Sequence, residues 1–218
     1  MSSIRVAIAD DQRLFCSGIQ MLIESQPDLE FAGAAYDGEA IVALALAEKP
    51  DIVLMDIRMP VANGITATET IRAHSAGEPP KIIILTTHER DVAVLQAVNA
   101  GASGFLLKDA DPGFLLAAIR TVHGGQAVIA PRNTVAVIKD LLPAENRRAD
   151  HAAIAALSAR EKEIFLLAAR GLTNAEIGAA AFISETTVKS HVSSIFTKLA
   201  LASRLQIVAF AYEHGLLR

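Results

Sequence analysis

The sequence predicts an α/β domain built on a five-stranded, doubly wound parallel sheet, followed by a small all-α domain. Three observations carry this. From residue 4 to about residue 123, short strand-like runs alternate five times with helical patterns. That order, closed by right-handed crossovers, makes a parallel sheet with helices on both faces. The strand-like runs are continuous in Ile, Val and Leu, as strands buried on both faces should be. After Gly124-Gly125 the strand signal stops, and everything beyond residue 155 has helical spacing.

In chain order, strands are expected at 4–9, 29–34, 51–56, 81–86 and 104–107, and helices at 13–25, 38–48, 64–75, 90–100 and 112–123. This is a flavodoxin-like domain spanning 1–125. Residues 126–155 contain Pro131, Pro143 and the polar run 145–150, and are expected to be a linker holding one short helix around 132–142. The second domain, 156–218, opens with Ser158 followed three residues on by Glu161, a capping box for a helix to about Ala169 that Gly171 ends. Thr173 with Glu176 repeats the device. Ser184 caps a third helix to about Leu199, and a fourth runs from about Ser203 to Glu213. Four short helices form a compact bundle.

Charge divides the chain the same way. Residues 1–125 hold 16 acidic against 9 basic side chains, net −7; residues 126–150 are net +1 and residues 151–218 net +2. An acidic first domain suits a cation, and a mildly basic second one can meet phosphates. The start of the chain has no basic segment leading an apolar run, and no apolar stretch approaches the roughly 18 residues of a membrane span. No membrane partner is expected, and the expected location is the cytoplasm. The single cysteine, Cys16, leaves no disulfide framework or zinc cluster, and it reads as a small helix residue.

Chemistry gathers at the strand ends. Asp10-Asp11 closes the first strand, Asp56 the third, Thr86 the fourth and Lys108 the fifth. In a parallel sheet these ends share one edge, so the five residues converge on one pocket. Three carboxylates this close repel one another unless a cation neutralises them, and Mg²⁺ is the hard, oxygen-seeking choice. A carboxylate can also attack phosphorus, while a hydroxyl (Thr86) and an ammonium (Lys108) hold the phosphoryl oxygens. Thr87 lies beside Thr86, but the spacing selects Thr86. The run 101–104 is glycine-rich, yet it lies between a helix and the following strand, the reverse of a nucleotide loop, and reads as a helix stop.

These residues resemble the receiver domain of two-component response regulators: Asp10-Asp11, Asp56 within Leu-Met-Asp-Ile-Arg-Met-Pro, Thr86 thirty residues on and Lys108 twenty-two further. The tail, with Leu-Ser-Ala-Arg-Glu-Lys-Glu-Ile from Leu157, Gly-Leu-Thr-Asn-Ala-Glu-Ile from Gly171 and Ile-Ser-Glu-Thr-Thr-Val-Lys-Ser-His from Ile183, is similar to the LuxR-type helix-turn-helix. The pairing is that of the NarL/FixJ class. The resemblance implies that a sensor histidine kinase phosphorylates Asp56. It also implies that Asp11, Asp56 and the backbone carbonyl of Arg58 ligate Mg²⁺, with Asp10 acting through water. Thr86 and Phe105 would form the switch pair, the hydroxyl moving to the phosphoryl group and the ring turning inward.

Several positions depart from the pattern. Asp109 stands where many receivers have proline after the lysine, so no cis bond is expected. Arg58 and His88 occupy places that tune phosphoryl lifetime in receivers, and Phe105 lacks a tyrosine's hydroxyl. Ala200 and Ala202-Ser203 replace the usual Gly and Arg-Asp, and an alanine in a left-handed cap costs about 1 kcal/mol relative to glycine.

For DNA, the third helix of the tail is the candidate for the major groove. Val188, Val192, Ile195 and Leu199 fall on the bundle face, leaving Lys189, Ser190 and Ser193 outward. By resemblance these outward residues reach base edges, Lys189 first. Thr173, Asn174, Thr186 and Thr187 begin helices, where hydroxyl, amide and backbone N–H groups bind phosphate oxygens or simply cap. His191 reads as a packed helix residue. The resemblance further implies a homodimer on double-stranded promoter DNA, paired through the last helix, with RNA polymerase as a further partner. Two rivals stand beside this reading. A phosphohydrolase of the haloacid dehalogenase type wants a second Asp two residues after the nucleophile, where this chain has Arg58. A LuxR-type regulator controlled by a ligand or a partner has no need for Lys108 and the acidic pair together. The chain is therefore read as a regulator and not an enzyme.

Overall fold

The computed structural model describes residues 3–75, 77–87, 92–125, 128–129 and 149–217. Strands β1 (Ile4–Ala9), β2 (Leu29–Ala35), β3 (Ile52–Asp56), β4 (Lys81–Thr86) and β5 (Gly104–Leu107) alternate with helices α1 (Arg13–Glu24), α2 (Gly38–Glu48), α3 (Gly64–His74), α4 (Val92–Asn99) and α5 (Pro112–His123). The sheet is parallel, in the order β2-β1-β3-β4-β5 with one addition. Val128–Ile129 forms a two-residue β6 alongside β5, inside the segment expected to be a linker. The remaining linker expectation, the short helix around 132–142, lies outside the described residues, as do residues 90 and 91 of the fourth expected helix.

The sheet separates two apolar layers. On one face Val6, Ile8, Leu54, Ile83 and Leu85 pack against Ile19 and Ile23 of α1 and Leu116 and Ile119 of α5. On the other, Ala7, Val53, Met55, Ile82 and Ile84 meet Ile41 of α2, Ile71 of α3 and Ala97 of α4. Because alternate residues of the central strands β1, β3 and β4 feed opposite layers, these strands are apolar along nearly their whole length and buried, whereas the edge strand β2 is only partly covered.

The helical domain begins earlier than the 156 boundary expected from sequence. Asp150 caps a 3-10 turn at His151–Ile154 by accepting from the Ala152 N–H at 3.0 Å, and its own N–H donates to the His214 carbonyl. Ile154 is thereby buried with Leu157 among α6 (Ala159–Ala169), α7 (Asn174–Ala181), α8 (Glu185–Leu199) and α9 (Arg204–Glu213). Ser158 with Glu161 and Thr173 with Glu176 both form full capping boxes. Ala200 does adopt the left-handed cap, at φ 53°. No single helix among the described residues is long and apolar enough to cross a membrane.

The two domains touch. Val98 of α4 is buried against Leu205, Val208 and Ala209 of α9, with Tyr212 at the edge, and Gln206 Nε2 donates to the Asn99 carbonyl at 2.8 Å.

Candidate functional site

The register of the strands assembles the pocket. Ala9 lies beside Met55, so Asp10 and Asp56 are the next residues on adjacent strands. Asp56 pairs with Leu85 and Thr86 with Leu107, which brings Thr86 and Lys108 to the same edge. A side-chain oxygen from each of Asp10, Asp11 and Asp56 lies within 4.8 Å of the others. Lys108 Nζ stands 2.7 Å from Asp10 Oδ2 and 3.1 Å from Asp56 Oδ2. Gly64, at the start of α3, is needed behind this edge because a Cβ there would run into the Asp56 carbonyl oxygen.

Among the described residues the carboxylates of Asp10, Asp11 and Asp56 cluster beside the ammonium of Lys108, so the pocket is under-neutralised. Burial pushes the Asp56 carboxyl above its ordinary range despite the opposing pull of Lys108, with the Asp10 charge adding to the rise. Burial works against the Lys108 charge, but the bonds to Asp10 and Asp56 outweigh it and hold the ammonium above the usual lysine range. Asp56 Oδ1 accepts from the Ile57 N–H at 2.8 Å and Asp10 Oδ1 from the Gln12 N–H at 2.9 Å. Asp10 Oδ2 is buried, with the Lys108 ammonium 2.7 Å away as its charged partner. Such an oxygen, next to the exposed Asp11, fits an arrangement serving a hydrated hard cation.

Thr86 is buried at the end of β4, and its carbonyl accepts from the Lys108 N–H at 2.8 Å. The neighbouring Thr87 is exposed, and Arg58 Nη2 donates to its hydroxyl at 3.2 Å. Phe105, expected to pair with Thr86 as the switch, has its ring buried with Ala97 and Ala102. His88 lies outside the described residues. Cys16 donates weakly to the Asp10 carbonyl, and burial raises its thiol to about 11, so it is an inert packing residue.

In the helical domain, Val188, Val192 and Ile195 of α8 are buried, and Lys189, Ser190 and Ser193 are exposed together on its other side. Thr186 is exposed beside them. The Ser184 and Thr187 hydroxyls lie 2.8 Å apart at the helix start, and Thr173 is engaged with Glu176. Asn174 does not fit the role expected of it. The residue is 2% exposed and its Oδ1 accepts from Arg204 Nη1 at 2.7 Å, so its side chain faces the interior of the domain. A helix-start amide looks alike in sequence whether it caps, binds phosphate or receives a buried cation. The arginine that claims it lies thirty residues on.

A doubly wound sheet with an acidic, lysine-bearing pocket at its strand ends, joined to a helical module with a polar exposed helix, fits one class: regulators that join a receiver to a DNA-binding module. The comparisons agree. Residues 6–120 match the family described as response regulator receiver domain, and residues 155–211 match bacterial regulatory proteins, luxR family. The chain is 39% identical over 215 residues to the uncharacterized transcriptional regulatory protein YxjL of Bacillus subtilis (strain 168), covering 99% of this chain and 98% of that one. It is 36% identical to transcriptional regulatory protein LiaR of the same organism, covering 98% and 99%. Among solved structures, the response regulator ChrA of a heme-sensing two-component system aligns over 100% of both chains at 34% identity and a TM-score of 0.54. A structure of two RcsB dimers bound to two parallel DNAs is similar in fold, at 22% identity and a TM-score of 0.54 over 97% of this chain and 99% of that one. The chain belongs to the response regulators that join a receiver to a LuxR-type helix-turn-helix, and it is a DNA-binding transcriptional regulator of a two-component system, not an enzyme.

Proposed function

We propose that Asp56 is the phosphoacceptor, that a sensor histidine kinase is its donor, and that the phosphorylated chain binds double-stranded promoter DNA as a homodimer, acting on RNA polymerase in the cytoplasm. The observation that carries this is the under-neutralised pocket, in which Asp56 sits between Asp10 and Lys108. A carboxylate oxygen of Asp56 attacks phosphorus, the bond from phosphorus to the donor's imidazole nitrogen breaks, and that nitrogen keeps the electron pair and gains a proton. Lys108 holds the transferred oxygens, and the Thr86 hydroxyl is the group that follows them. Asp11, Asp56 and the Arg58 carbonyl would hold Mg²⁺, with Asp10 acting through water. When bound, the ion neutralises the charge that accumulates as phosphorus is transferred.

The division into a receiver at 1–125, a linker and a DNA-binding domain ending at 218 belongs to this reading, with the start of the last domain moved to about residue 150. Base contact falls to Lys189, with Ser190 and Ser193 beside it; Thr173, Thr186 and Thr187 serve the phosphate backbone. Support comes from the shared exposure of Thr186, Lys189, Ser190 and Ser193 on α8, with Thr187 half-buried beside them and Thr173 half-buried at the start of α7. Intact mass measurement after incubation with acetyl phosphate and Mg²⁺ tests the first half: one added phosphoryl group, labile to acid, is expected. Labelling undiminished in Asp56→Ala would place the chemistry elsewhere.

A further inference from the structure

The first turn of α9 touches two regions that are remote in sequence. Toward the receiver, Leu205 is fully buried against Val98 of α4, and Gln206 Nε2 donates to the Asn99 carbonyl at 2.8 Å. Toward the helical domain, the neighbouring Arg204 is 6% exposed and sends its guanidinium to two acceptors. Nη1 donates to Asn174 Oδ1 at 2.7 Å and Nη2 to the Leu172 carbonyl. Those acceptors flank Thr173, the cap of α7, so Arg204 grips the chain on both sides of that helix's amino-terminal end.

A buried cation is an expensive way to join two elements, since losing either acceptor strands a desolvated charge. Burial pulls the guanidinium down to about 10, with only the Glu176 charge opposing it. The planar fork transmits position because both donors must stay aligned at once. Leu205 and Gln206 follow Arg204 within the same helical turn. A displacement of that turn on release from α4 therefore carries the guanidinium, and with it the start of α7.

We propose that Arg204 is a positioning residue that couples the α4–α9 seam to the amino-terminal end of α7, so that the state of the receiver and the seating of the helical domain on a DNA backbone are linked. The inference rests on the reading that α7 and α8 meet DNA. With the seam closed, the placement of α7 is set by α4, and a duplex must bind the fraction of molecules in which that placement is released. Opening the seam removes that restriction. By reciprocity, duplex binding loosens the seam.

The test is a double-substitution cycle on the full chain, read as affinity for a random-sequence duplex at fixed salt. Val98→Asn inserts a polar group into the seam and is expected to raise duplex affinity about fivefold, the low end of ordinary coupling. In an Arg204→Lys background, where one ammonium cannot hold both acceptors, the same change should alter affinity less than about twofold. Circular dichroism and a thermal melt check that each variant folds. Should Arg204→Lys fail that check, Asn174→Ala cuts the same bridge from the α7 side. Equal factors in both backgrounds would mean that the seam acts only by holding the acidic receiver near the DNA, and would overturn the coupling. Absence of duplex binding in every form, the unaltered chain included, would remove the DNA-binding reading and this inference with it.

Discussion

Both domains bury charge, but they treat it differently. In the receiver, Asp10 and Asp56 share the one ammonium of Lys108, and the exposed carboxylate of Asp11 lies beside them. In the helical domain, Glu161 accepts from Lys198 on both oxygens, at 2.8 and 2.7 Å, from the Ser194 hydroxyl at 2.6 Å and from the Ser158 N–H at 2.7 Å. Lys198 first, then the serine hydrogen bonds, holds the Glu161 carboxyl far below the usual range. The difference separates a site from a scaffold: a satisfied buried charge stabilises a fold, whereas one left short of partners waits for a ligand.

Removing charge should therefore have opposite effects in the two places. The largest change is expected for Glu161→Ala, which removes both the tie between α6 and α8 and the capping box at Ser158. Calorimetry should show the helical domain melting far below its usual temperature with the receiver transition in place. Asp56→Asn should do the reverse, raising the receiver's melting temperature by a few degrees, the response to about 1 kcal/mol, while abolishing Mg²⁺-dependent binding of beryllofluoride. A receiver that melts lower in Asp56→Asn would mean its pocket is as well satisfied as Glu161 is.

Acid sharpens the same contrast. The folded-state pKa of Glu161 lies below its unfolded value, so its contribution is complete above an ordinary glutamate pKa of about 4.3 and is lost as pH falls from there through the folded value. Asp56 has the opposite sign. Its folded pKa is raised, so the unfavourable charge develops as pH rises through that value, and acidification relieves it. Between neutral pH and pH 3, the melting temperature of the helical domain should fall more steeply in the unaltered chain than in Glu161→Gln, and no such difference should appear for the receiver.

Two backbone positions supply the smallest effects. Val61, an exposed β-branched residue at φ 66° in the loop beyond Asp56, is the more strained, and Ala200 at φ 53° the less. Val61→Gly should stabilise the receiver by on the order of 1 kcal/mol, and Ala200→Gly the helical domain by somewhat less, once the greater freedom of unfolded glycine is counted. Denaturant titration reads both. A loss of stability at Val61→Gly would show that its side chain makes a contact worth more than the strain.

Lys108, Asp10 and Asp56 could be placed together from sequence because each ends an apolar run, and strand ends of a parallel sheet share an edge whatever the details of packing. The capping boxes at Ser158 and Thr173 were equally legible, since their partners lie three residues away. Asn174 was misjudged for the converse reason: its environment is made by Arg204, and nothing local distinguishes an amide that faces a phosphate from one that faces a buried guanidinium. The burial of Phe105, and β6 at Val128–Ile129, likewise depend on neighbours remote in the chain.

By itself, then, the sequence determined the alternation of strands and helices, the residues at the strand ends, the outward face of α8 and the helix starts. All of these follow from periods of two or 3.6 residues and from caps that act over three or four. The tertiary structure alone decided which buried charges are satisfied, that α9 lies against α4 at Val98, and that Arg204 bridges to the start of α7. Those outcomes depend on which surfaces meet after the elements form, and burial and charge pairing between distant segments leave no periodic trace in the chain.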